Sequence, residues 1–413
     1  MKAVVFSLGC KVNTYEGQAI ISFLESNGIE ATDKPCAADV YIINTCSVTA
    51  EADKKSRQAV ERMRRYNRNA KVLVLGCSSQ NDGNAYKSKD VSLGGVGGKI
   101  DSVARFLQLK FDENADFTSE LPLVYEEMNM PAPTRTRGYI KIQDGCNNFC
   151  SYCRIPYLRG RSRSRSVDSI VNEATMAAKH AKEIVLTGIN ISDYSYAGSG
   201  LAELVIALKD VNARKRFGSL ECEVIDDNLL KAMKECGFCH HFHLSLQSGS
   251  DTVLKRMNRH YTSRYYSQKC DLIRSYFPDA AITTDIITGF SGETEQEFEE
   301  TCKFVDKIRF AAIHVFPYSE RKGTLAYNMP QIDKKIRSDR ANKLIAIGER
   351  LSKEFVSAQI GNIVEVYAEE IKDGMTEGYT SNYIKVYSPL KRGELGKVRL
   401  TELFADGAKG ELL

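Results

Sequence analysis

Residues 145–153 read Gly145-Cys146-Asn147-Asn148-Phe149-Cys150-Ser151-Tyr152-Cys153, and the three cysteines of this stretch have the spacing C-x3-C-x2-C. An alternating apolar segment at 139–143 comes directly before them and predicts a β-strand. Three thiolates at this spacing can close around an iron–sulfur cluster, but such clusters are normally held by four cysteines. The spacing therefore predicts a cluster with one open iron. Half of a zinc site, or three unconnected core thiols, are the alternatives.

The length and composition are those of an ordinary soluble protein. The 413 residues predict two or three domains with ample chain for a large core. The N-terminus lacks the apolar region of a signal peptide, and no run approaches the ~18 apolar residues of a membrane span. We therefore expect a cytoplasmic protein without membrane contact. In that compartment the twelve cysteines are expected to bind metal or act in catalysis rather than form disulfides.

Basic residues are clustered, although the net charge of +4 is too small by itself to indicate nucleic-acid binding. One cluster lies at 53–71, and the other follows the cysteine loop at 159–165. A run of charge is usually a solvated face. Two clusters in one chain, one of them beside the cysteine loop, make a polyanionic substrate an equal alternative. The basic residues are Lys54, Lys55, Arg57, Arg62, Arg64, Arg65, Arg68 and Lys71, then Arg159, Arg161, Arg163 and Arg165.

The first 110 residues or so repeat one pattern three times. Buried-strand runs lie at 3–9, 39–45 and 71–76, with helical stretches at 15–27 and 53–66 between them. Strands that alternate with helices predict a parallel sheet, whose carboxyl ends form one ligand-binding edge. Each run is followed by a cysteine, and these are Cys10, Cys46 and Cys77. We predict that the three converge on a second cluster. Small buried thiols at strand ends are the alternative.

A glycine-rich piece at 93–99 superficially suggests a phosphate loop. It lacks the G-x4-G-K-[ST] pattern, because Ile100 follows Lys99, and the sequence shows no strong strand and helix around it. We predict a turn here and no nucleotide site. Residues 113–134, which include Pro131 and Pro133, predict a linker between domains.

From residue 137 to about 318, strands and helices alternate six times. The strands are predicted at 139–143, 183–187, 216–221, 242–247, 282–288 and 312–316, and the helices at 167–179, 201–209, 227–235, 262–276 and 294–307. Six such units predict a partial (β/α)6 barrel, with its active site at the carboxyl ends of the strands. The cysteine loop follows the first strand and therefore lies at that face.

The rest of the chain predicts a long charged helix at 332–360 and then a small all-β module at 361–413. Its strands are expected at 363–367, 383–387 and 397–400, separated by glycine turns. Aromatic residues interleaved with lysines on strands suit the stacking of single-stranded RNA. Exposed tyrosines on an ordinary small barrel are the alternative.

Cys236, Cys239 and the histidines at 240, 241 and 243 have some character of a zinc site. The segment runs from a helix end straight into a strand, which leaves no room for a second ligand pair. His243 alternates with Ser245 and Gln247. We therefore expect it to point into the barrel as part of the ordinary packing.

In these motifs the chain resembles the radical S-adenosylmethionine superfamily, with Tyr152 as the aromatic residue of the cysteine loop. Further motifs resemble the methylthiotransferases within it, over nearly the whole chain. The residues that follow Cys10 and Cys46 look most like the branch that acts on threonylcarbamoyladenosine in tRNA. The motifs lie at 7–13, 44–49, 76–77, 141–150, 186–188, 243–250 and 289–294.

The resemblance implies two 4Fe-4S clusters and S-adenosylmethionine as cofactors. The cluster on Cys146, Cys150 and Cys153 would bind S-adenosylmethionine at its open iron and release a 5′-deoxyadenosyl radical after one-electron reduction. That radical would take hydrogen from C2 of a modified adenine. The cluster on Cys10, Cys46 and Cys77 would hold a sulfur methylated by a second S-adenosylmethionine, ready for transfer. No acid–base residue is expected, because the cofactors carry the hard chemistry. The implied contacts to S-adenosylmethionine are Tyr152, Thr187, Gly188, Glu221 and Gln247.

The resemblance also implies the substrate, the partners and the domains. The expected reaction adds a methylthio group to N6-threonylcarbamoyladenosine at position 37 of tRNA, in the anticodon loop. A monomer is expected, with a one-electron reductant such as flavodoxin. The expected domains are a flavodoxin-like parallel-sheet domain at 1–112, the linker, the partial barrel with its trailing helix at 135–360, and a TRAM-like RNA-binding module of OB type at 361–413.

Three other functions are compatible with parts of the sequence. The same chemistry could act on isopentenyladenosine in tRNA, or on an aspartate of a ribosomal protein. The basic helix at 54–68 favours RNA over protein. A non-catalytic iron–sulfur electron carrier is disfavoured, because a carrier needs fully ligated clusters and no substrate cavity.

Overall fold

A computed structural model describes residues 1–87, 90–110, 113–128, 136–372 and 374–413. In chain order it contains a parallel sheet, a partial barrel and a small closed barrel. This architecture confirms the predicted fold class. The linker prolines Pro131 and Pro133 lie outside the described residues. In the described part of the chain, no helix is long and apolar enough to cross a membrane.

The N-terminal unit is a six-stranded sheet flanked by helices. Its elements are β1 (Lys2–Ser7), α1 (Lys11–Ser26), β2 (Glu30–Thr32), β3 (Val40–Thr45), α2 (Ala50–Arg64), β4 (Lys71–Gly76), α3 (Cys77–Asn81), α4 (Asn84–Lys87), β5 (Ser92–Gly94), α5 (Lys99–Gln108) and β6 (Asp116–Phe117). The strand order is β2-β1-β3-β4-β5-β6, with parallel pairings. Every residue of β3 is buried, as expected for a parallel strand covered on both faces. The carboxyl ends of β1, β3 and β4 therefore lie side by side.

The expectation that no strand and helix flank the glycine-rich piece is wrong. β5 includes the first two residues of the piece and α5 begins at its last residue, with Gly98 at φ 60° directly before the helix. A three-residue strand is too short to produce a recognisable alternation in the sequence. The first residue of α5, Lys99, is fully buried and pairs with Glu16 of α1.

The central unit is the partial barrel. Its elements are β7 (Arg137–Lys141), β8 (Gln143–Asp144), α6 (Ile155–Arg159), β9 (Arg163–Ser164), α7 (Val167–Ala178), β10 (Glu183–Thr187), α8 (Leu201–Ala207), β11 (Arg214–Phe217), β12 (Ser219–Leu220), α9 (Asp227–Glu235), β13 (His241–Leu244), α10 (Asp251–Arg256), α11 (Ser263–Tyr276), β14 (Ala281–Thr288), α12 (Glu295–Ile308), β15 (Ala312–Pro317) and α13 (Lys334–Ser357). The main strands pair in parallel in the orders β11-β10-β7 and β12-β13-β14-β15.

The strand predicted at 216–221 is divided in two. β11 ends at Phe217 and β12 begins at Ser219, so the barrel wall consists of a three-stranded and a four-stranded sheet. Gly218 lies at the break and its N–H donates to the carbonyl of Leu186. The polar residue at the end of β12, Glu221, thereby faces the cysteine loop.

The C-terminal unit is a closed five-stranded barrel. Its elements are β16 (Ile363–Lys372), β17 (Met375–Thr380), β18 (Lys385–Ser388), β19 (Leu395–Phe404) and β20 (Gly407–Leu412), in the order β16-β17-β18-β20-β19. β17 and β20 were not predicted from the sequence. β17 contains Gly378, and its charged and apolar residues show no clear alternation, whereas β20 has two glycines and no β-branched or aromatic residue. The unit packs on the foot of the partial barrel, where Arg137 pairs with Glu369 and donates to the Tyr383 hydroxyl.

Candidate active site

The cysteine loop lies between β8 and α6, at the carboxyl end of the first barrel strand. Cys150 is buried, and Cys146 and Cys153 are half-buried. The N–H groups of Asn148 and Ile155 point at the Cys146 and Cys153 sulfurs, at 3.5 Å in each case. Burial raises the pKa of Cys146 to about 11 and that of Cys153 to about 12. Without a metal these thiols stay protonated, so iron binding must release their protons.

Arg259 and Glu221 tie this loop to the far side of the barrel mouth. Arg259 donates from Nη1 to the Cys150 sulfur at 3.3 Å and from Nη2 to Glu221 Oε1 at 2.8 Å. The other Glu221 oxygen accepts from Asn148 Nδ2 at 2.8 Å. A charge-assisted pair of this kind holds both side chains in one geometry. Arg259 was not predicted, because nothing in its local sequence marks it.

The other residues predicted to contact S-adenosylmethionine surround the same mouth. Tyr152 packs edge-on against Phe290, with ring centroids 6.2 Å apart. Thr187 is buried at the end of β10. Gln247 has φ +69°, an uncommon backbone conformation for this residue that is found at functional sites. Their roles toward the cofactor stay predictions.

Gly188 has a packing reason as well as a predicted role. A Cβ at this position would lie 2.9 Å from both the carbonyl and the side-chain oxygen of Gln143. Gln143 in turn donates from Nε2 to the Gly145 carbonyl at 2.7 Å, at the start of the cysteine loop. The close approach at Gly188 therefore helps to fix the loop on the barrel.

The second group of cysteines lies at the carboxyl edge of the N-terminal sheet. Cys46 and Cys77 follow β3 and β4 directly, and Cys10 precedes α1. Burial, with a smaller contribution from the nearby Cys10 and Cys77, raises the pKa of Cys46 to about 11. Gly9, at φ +92°, passes so close to Cys46 that a Cβ there would lie 2.5 Å from its sulfur. The fold thus brings together three residues that are far apart in the chain.

Arg159 joins the two groups of cysteines. It follows the cysteine loop in the chain, and its fully buried guanidinium donates from Nε to the Cys77 sulfur at 3.3 Å. Its other nitrogens bond Asn13 and Glu16 of the N-terminal unit and Asp144 of the barrel. One arginine therefore holds the two cysteine-bearing edges against each other.

Arg159 belongs to a buried ionic network at this domain interface. Glu16 accepts from Lys99 and Lys141 as well as from Arg159. Asp144 pairs with Lys141 at 2.7 Å. The buried side chains here comprise four cations and two carboxylates, namely Lys99, Lys141, Arg159, Arg163, Glu16 and Asp144. An excess of positive charge beside Cys77 suits a cluster that carries three thiolates.

The spacing of the sulfurs tests which metal group fits. Within the described residues, only His243, Asp285 and His314 bring three ligand atoms within 4.8 Å of one another. Neither group of cysteines does so, whereas the thiolates of one zinc ion lie about 3.8 Å apart, given Zn–S bonds of about 2.3 Å. Neither group of cysteines therefore offers the close ligand set of a single zinc ion. Cys236 and Cys239 are buried and outside the histidine group, so the zinc alternative has no ligand set there.

The two basic clusters differ in the structure. Arg159, Arg163 and Arg165 are buried and paired with acids, so the second cluster is mainly structural. Only Arg161 in it is exposed, stacked 4.4 Å from the Phe149 ring centroid. In the first cluster, in contrast, Lys54, Lys55, Arg62, Arg65 and Arg68 are exposed on or just after α2.

The partial barrel and the cysteine loop at its mouth define an iron–sulfur enzyme of the radical S-adenosylmethionine type. Comparisons agree, since residues 140–305 match the Radical SAM superfamily and residues 2–96 match the Uncharacterized protein family UPF0004. The fold resembles the radical S-adenosylmethionine methyltransferase TsrM from Kitasatospora setae (TM-score 0.59, 14% identity, 79% of this chain and 77% of that chain). It also resembles the cobalamin-dependent S-adenosylmethionine radical enzyme OxsB (TM-score 0.55, 12% identity, 86% and 56%).

Sequence comparison gives the family. The chain is 37% identical to the threonylcarbamoyladenosine tRNA methylthiotransferase MtaB of Bacillus subtilis, over 98% of this chain and 95% of that protein. It is 35% identical to a tRNA-2-methylthio-N(6)-dimethylallyladenosine synthase of Thermoanaerobacter sp., over 98% and 91%. The chain belongs to the radical S-adenosylmethionine tRNA methylthiotransferases. This confirms the predicted family, the enzyme class and the two kinds of cofactor, 4Fe-4S clusters and S-adenosylmethionine.

Proposed function

We propose that this enzyme adds a methylthio group to C2 of N6-threonylcarbamoyladenosine at position 37 of tRNA. The observation that carries the proposal is the pair of three-cysteine sites held edge to edge by Arg159, together with 35–37% identity to three threonylcarbamoyladenosine enzymes. Two open clusters beside one barrel mouth suit a reaction that needs both a radical and a sulfur donor.

Cys146, Cys150 and Cys153 would hold the cluster that binds S-adenosylmethionine. Cys10, Cys46 and Cys77 would hold the auxiliary cluster. When bound, these groups supply the electron transfer, the hydrogen abstraction and the methylthio group. Tyr152, Thr187, Gly188, Glu221 and Gln247 would contact S-adenosylmethionine.

The chain's own residues position these groups and exclude water. Arg259 orients Cys150 and Glu221 together, so the loop and the proposed cofactor contact move as one unit. Arg159 fixes Cys77 against the barrel. Preorganised buried charges of this kind require no rearrangement during the reaction.

The proposal extends to domains and partners. The sheet domain would span 1–112, the linker 113–134, the barrel with its helix 135–360 and the RNA-binding module 361–413. tRNA would lie along the exposed basic side of α2, in the cytoplasm, where a reductant such as flavodoxin delivers the electron to a monomeric enzyme.

The test is nucleoside mass analysis of tRNA from a strain that lacks this gene. We expect loss of 2-methylthio-N6-threonylcarbamoyladenosine and accumulation of its precursor, with restoration by the wild-type gene but not by a Cys146→Ala variant. Loss of the methylthio derivative of isopentenyladenosine instead would assign the other substrate. An unchanged tRNA profile would exclude tRNA as the substrate and favour the ribosomal-protein alternative.

A further inference from the structure

A cavity of about 350 Å³ lies inside the partial barrel, and the activity described above gives it no role. Its volume falls in the range of small-molecule sites. All three units contribute to its wall: Lys11 from α1, Arg137, Arg216 and three histidines from the barrel, and Tyr383 from the C-terminal barrel. Lys11 is next to Cys10 in the chain, whereas no residue of the loop 145–153 lines the cavity. Through Lys11 the wall includes the chain neighbour of a cysteine predicted to bind the auxiliary cluster.

The wall has buried polar nitrogens with no partner among the described residues. Arg137 is more than nine-tenths buried, and its Nη2 makes no hydrogen bond to any described residue. Its Nε contacts Glu183 at 3.2 Å and its Nη1 donates to Tyr383 at 2.9 Å. His241, stacked on Tyr383, likewise has a buried Nδ1 without a partner among the described residues. A buried unsatisfied donor is costly unless a ligand completes it.

The charge of the cavity selects the ligand. Three cations line it, Lys11, Arg137 and Arg216, against one acid, Asp285. Behind the wall, Glu183 and Glu369 pair with Arg137, and Glu183 also pairs with Arg216 and Arg214, so four cations stand against three acids. Burial lowers the pKa of His241 well below its usual value, and the neighbouring positive charges, Arg216 first, lower it further. The remaining excess of positive charge favours an anion, and the unpartnered Arg137 Nη2 can donate one charge-assisted hydrogen bond to a carboxylate oxygen.

The remaining polar groups suit neutral donors on the same ligand. His243 Nε2 lies 3.3 Å from Asp285 Oδ2, and the ring of His314 is 5.8 Å from that of His243. His243 is already held on both ring nitrogens, because its Nδ1 lies 3.0 Å from the Thr283 hydroxyl. The Asp285 carboxylate and the His314 imidazole can accept from hydroxyl and urea N–H groups. A threonylcarbamoyl substituent carries one carboxylate, one hydroxyl and urea N–H groups. An isopentenyl substituent carries none of them.

We propose that this cavity binds the N6 substituent of the substrate base, with Arg137 Nη2 and Lys11 as the contacts to its carboxylate, and so selects threonylcarbamoyladenosine over adenosines with apolar substituents. The proposal rests on the proposed function and identifies where its substrate is recognised. Arg137 is a specificity-determining residue in this scheme and takes no part in the chemistry.

The experiment uses the full-length enzyme, reconstituted anaerobically. Inhibition of tRNA methylthiolation is measured with two added nucleosides, N6-threonylcarbamoyladenosine and its methyl ester. We expect the ester, which lacks the negative charge, to inhibit at least about 10-fold more weakly. Equal inhibition by both nucleosides would overturn the cavity proposal and leave the tRNA activity intact.

Two variants test the residue. Arg137→Gln is expected to raise KM for tRNA at least about 10-fold with little change in kcat, and to abolish the preference for the acid over its ester. Arg214→Gln is the matched control, because Arg214 pairs with the same Glu183, has the same 9% side-chain exposure and does not line the cavity. A similar rise in KM for both variants would indicate a structural role and overturn the assignment of Arg137. If Arg137→Gln does not fold, the comparison of the two nucleosides on the wild-type enzyme still tests whether the carboxylate is recognised.

The two proposals fail in different ways. If the enzyme converts only tRNA that carries dimethylallyladenosine, the proposed substrate is wrong. If the acid and ester nucleosides then inhibit equally, the cavity proposal is excluded as well. If the acid remains the stronger inhibitor, the enzyme still binds the carboxylate, and only the role of the cavity in substrate selection is excluded.

Discussion

Arg159 Nε donates to the Cys77 sulfur at 3.3 Å, although the two residues lie in different domains and are 82 positions apart. The same guanidinium bonds Asp144 at the base of the cysteine loop. One buried side chain therefore links the two candidate cluster sites, and the Lys141–Glu16 and Arg321–Asp53 pairs cross the same interface. Movement of the N-terminal sheet relative to the barrel would have to break this contact.

Arg159→Met should destabilise the domain interface. It leaves Glu16 and Asp144 buried with less compensation, and removing one partner of a buried ion pair typically costs about 3–5 kcal/mol. Urea unfolding of the iron-free protein measures the loss. Arg161→Met is the control, because Arg161 is exposed and contacts only the Phe149 ring among the interactions described for its side chain. Equal stability of the two variants would contradict the bridging role.

The reconstituted enzyme should contain about eight irons per chain, as expected for two four-iron clusters. Cys10→Ala and Cys146→Ala should each reduce the content to about four, because each removes one ligand group. Cys36→Ala should keep about eight, since Cys36 lies outside both groups. About four irons in the wild type, unchanged by Cys10→Ala, would remove the auxiliary cluster.

Glu221→Gln should weaken binding of S-adenosylmethionine. The substitution keeps the size of the side chain but removes the charge that pairs with Arg259, and a hydrogen bond to a charged group contributes about 1.5–3 kcal/mol. Equilibrium dialysis should show at least about a tenfold rise in Kd. Glu223→Gln, a half-buried acid two residues further on, is the control. If the two variants bind equally well, Glu221 is not a cofactor contact.

Acid should weaken the barrel through Glu183. Burial by itself would raise the pKa of this carboxyl, but Arg216, Arg137 and Arg214 outweigh it and lower the pKa to about 2. In the unfolded chain a glutamate has a pKa of about 4.3. The stabilisation is therefore complete above about pH 4.3 and is lost as the pH falls toward 2, on the order of 3 kcal/mol in total.

Urea titrations of the iron-free protein at pH 5 and pH 3 measure this loss. Glu183→Gln should flatten the pH dependence over that interval. Glu299→Gln changes an exposed acid paired with Lys343 and should leave the pH dependence almost unchanged. Identical slopes for the wild type and Glu183→Gln would contradict the assignment.

Lys54→Ala/Lys55→Ala should weaken tRNA binding and make it less dependent on salt. Each cation that contacts a phosphate contributes about 0.7–0.9 to the slope of log K against log salt, so the slope should fall by up to about two. Lys231→Ala/Lys234→Ala on α9 is a matched exposed pair. The two double variants are compared by filter binding at several salt concentrations, and equal slopes would place the tRNA elsewhere.

The sequence by itself was enough to predict the three units, the alternation of strands and helices, and the two groups of three cysteines. Those features are local, because buried runs, helix periods and cysteine spacing are visible within a few residues. Parallel strands share one edge, so even the convergence of Cys10, Cys46 and Cys77 followed from the order of elements. The sequence did not predict the strands β5, β17 and β20, because they are short or weakly patterned.

Only the tertiary structure decided how the sites are joined. Arg159 stood in a basic run that suggested an RNA surface, yet it is buried between Cys77, Glu16 and Asp144. Arg137 carried no sequence signal at all, and its unsatisfied nitrogen in the barrel cavity depends on which nitrogens Glu183 and Tyr383 already occupy. Long-range pairing of charges has no local pattern, because its partners are set by the packing of whole domains.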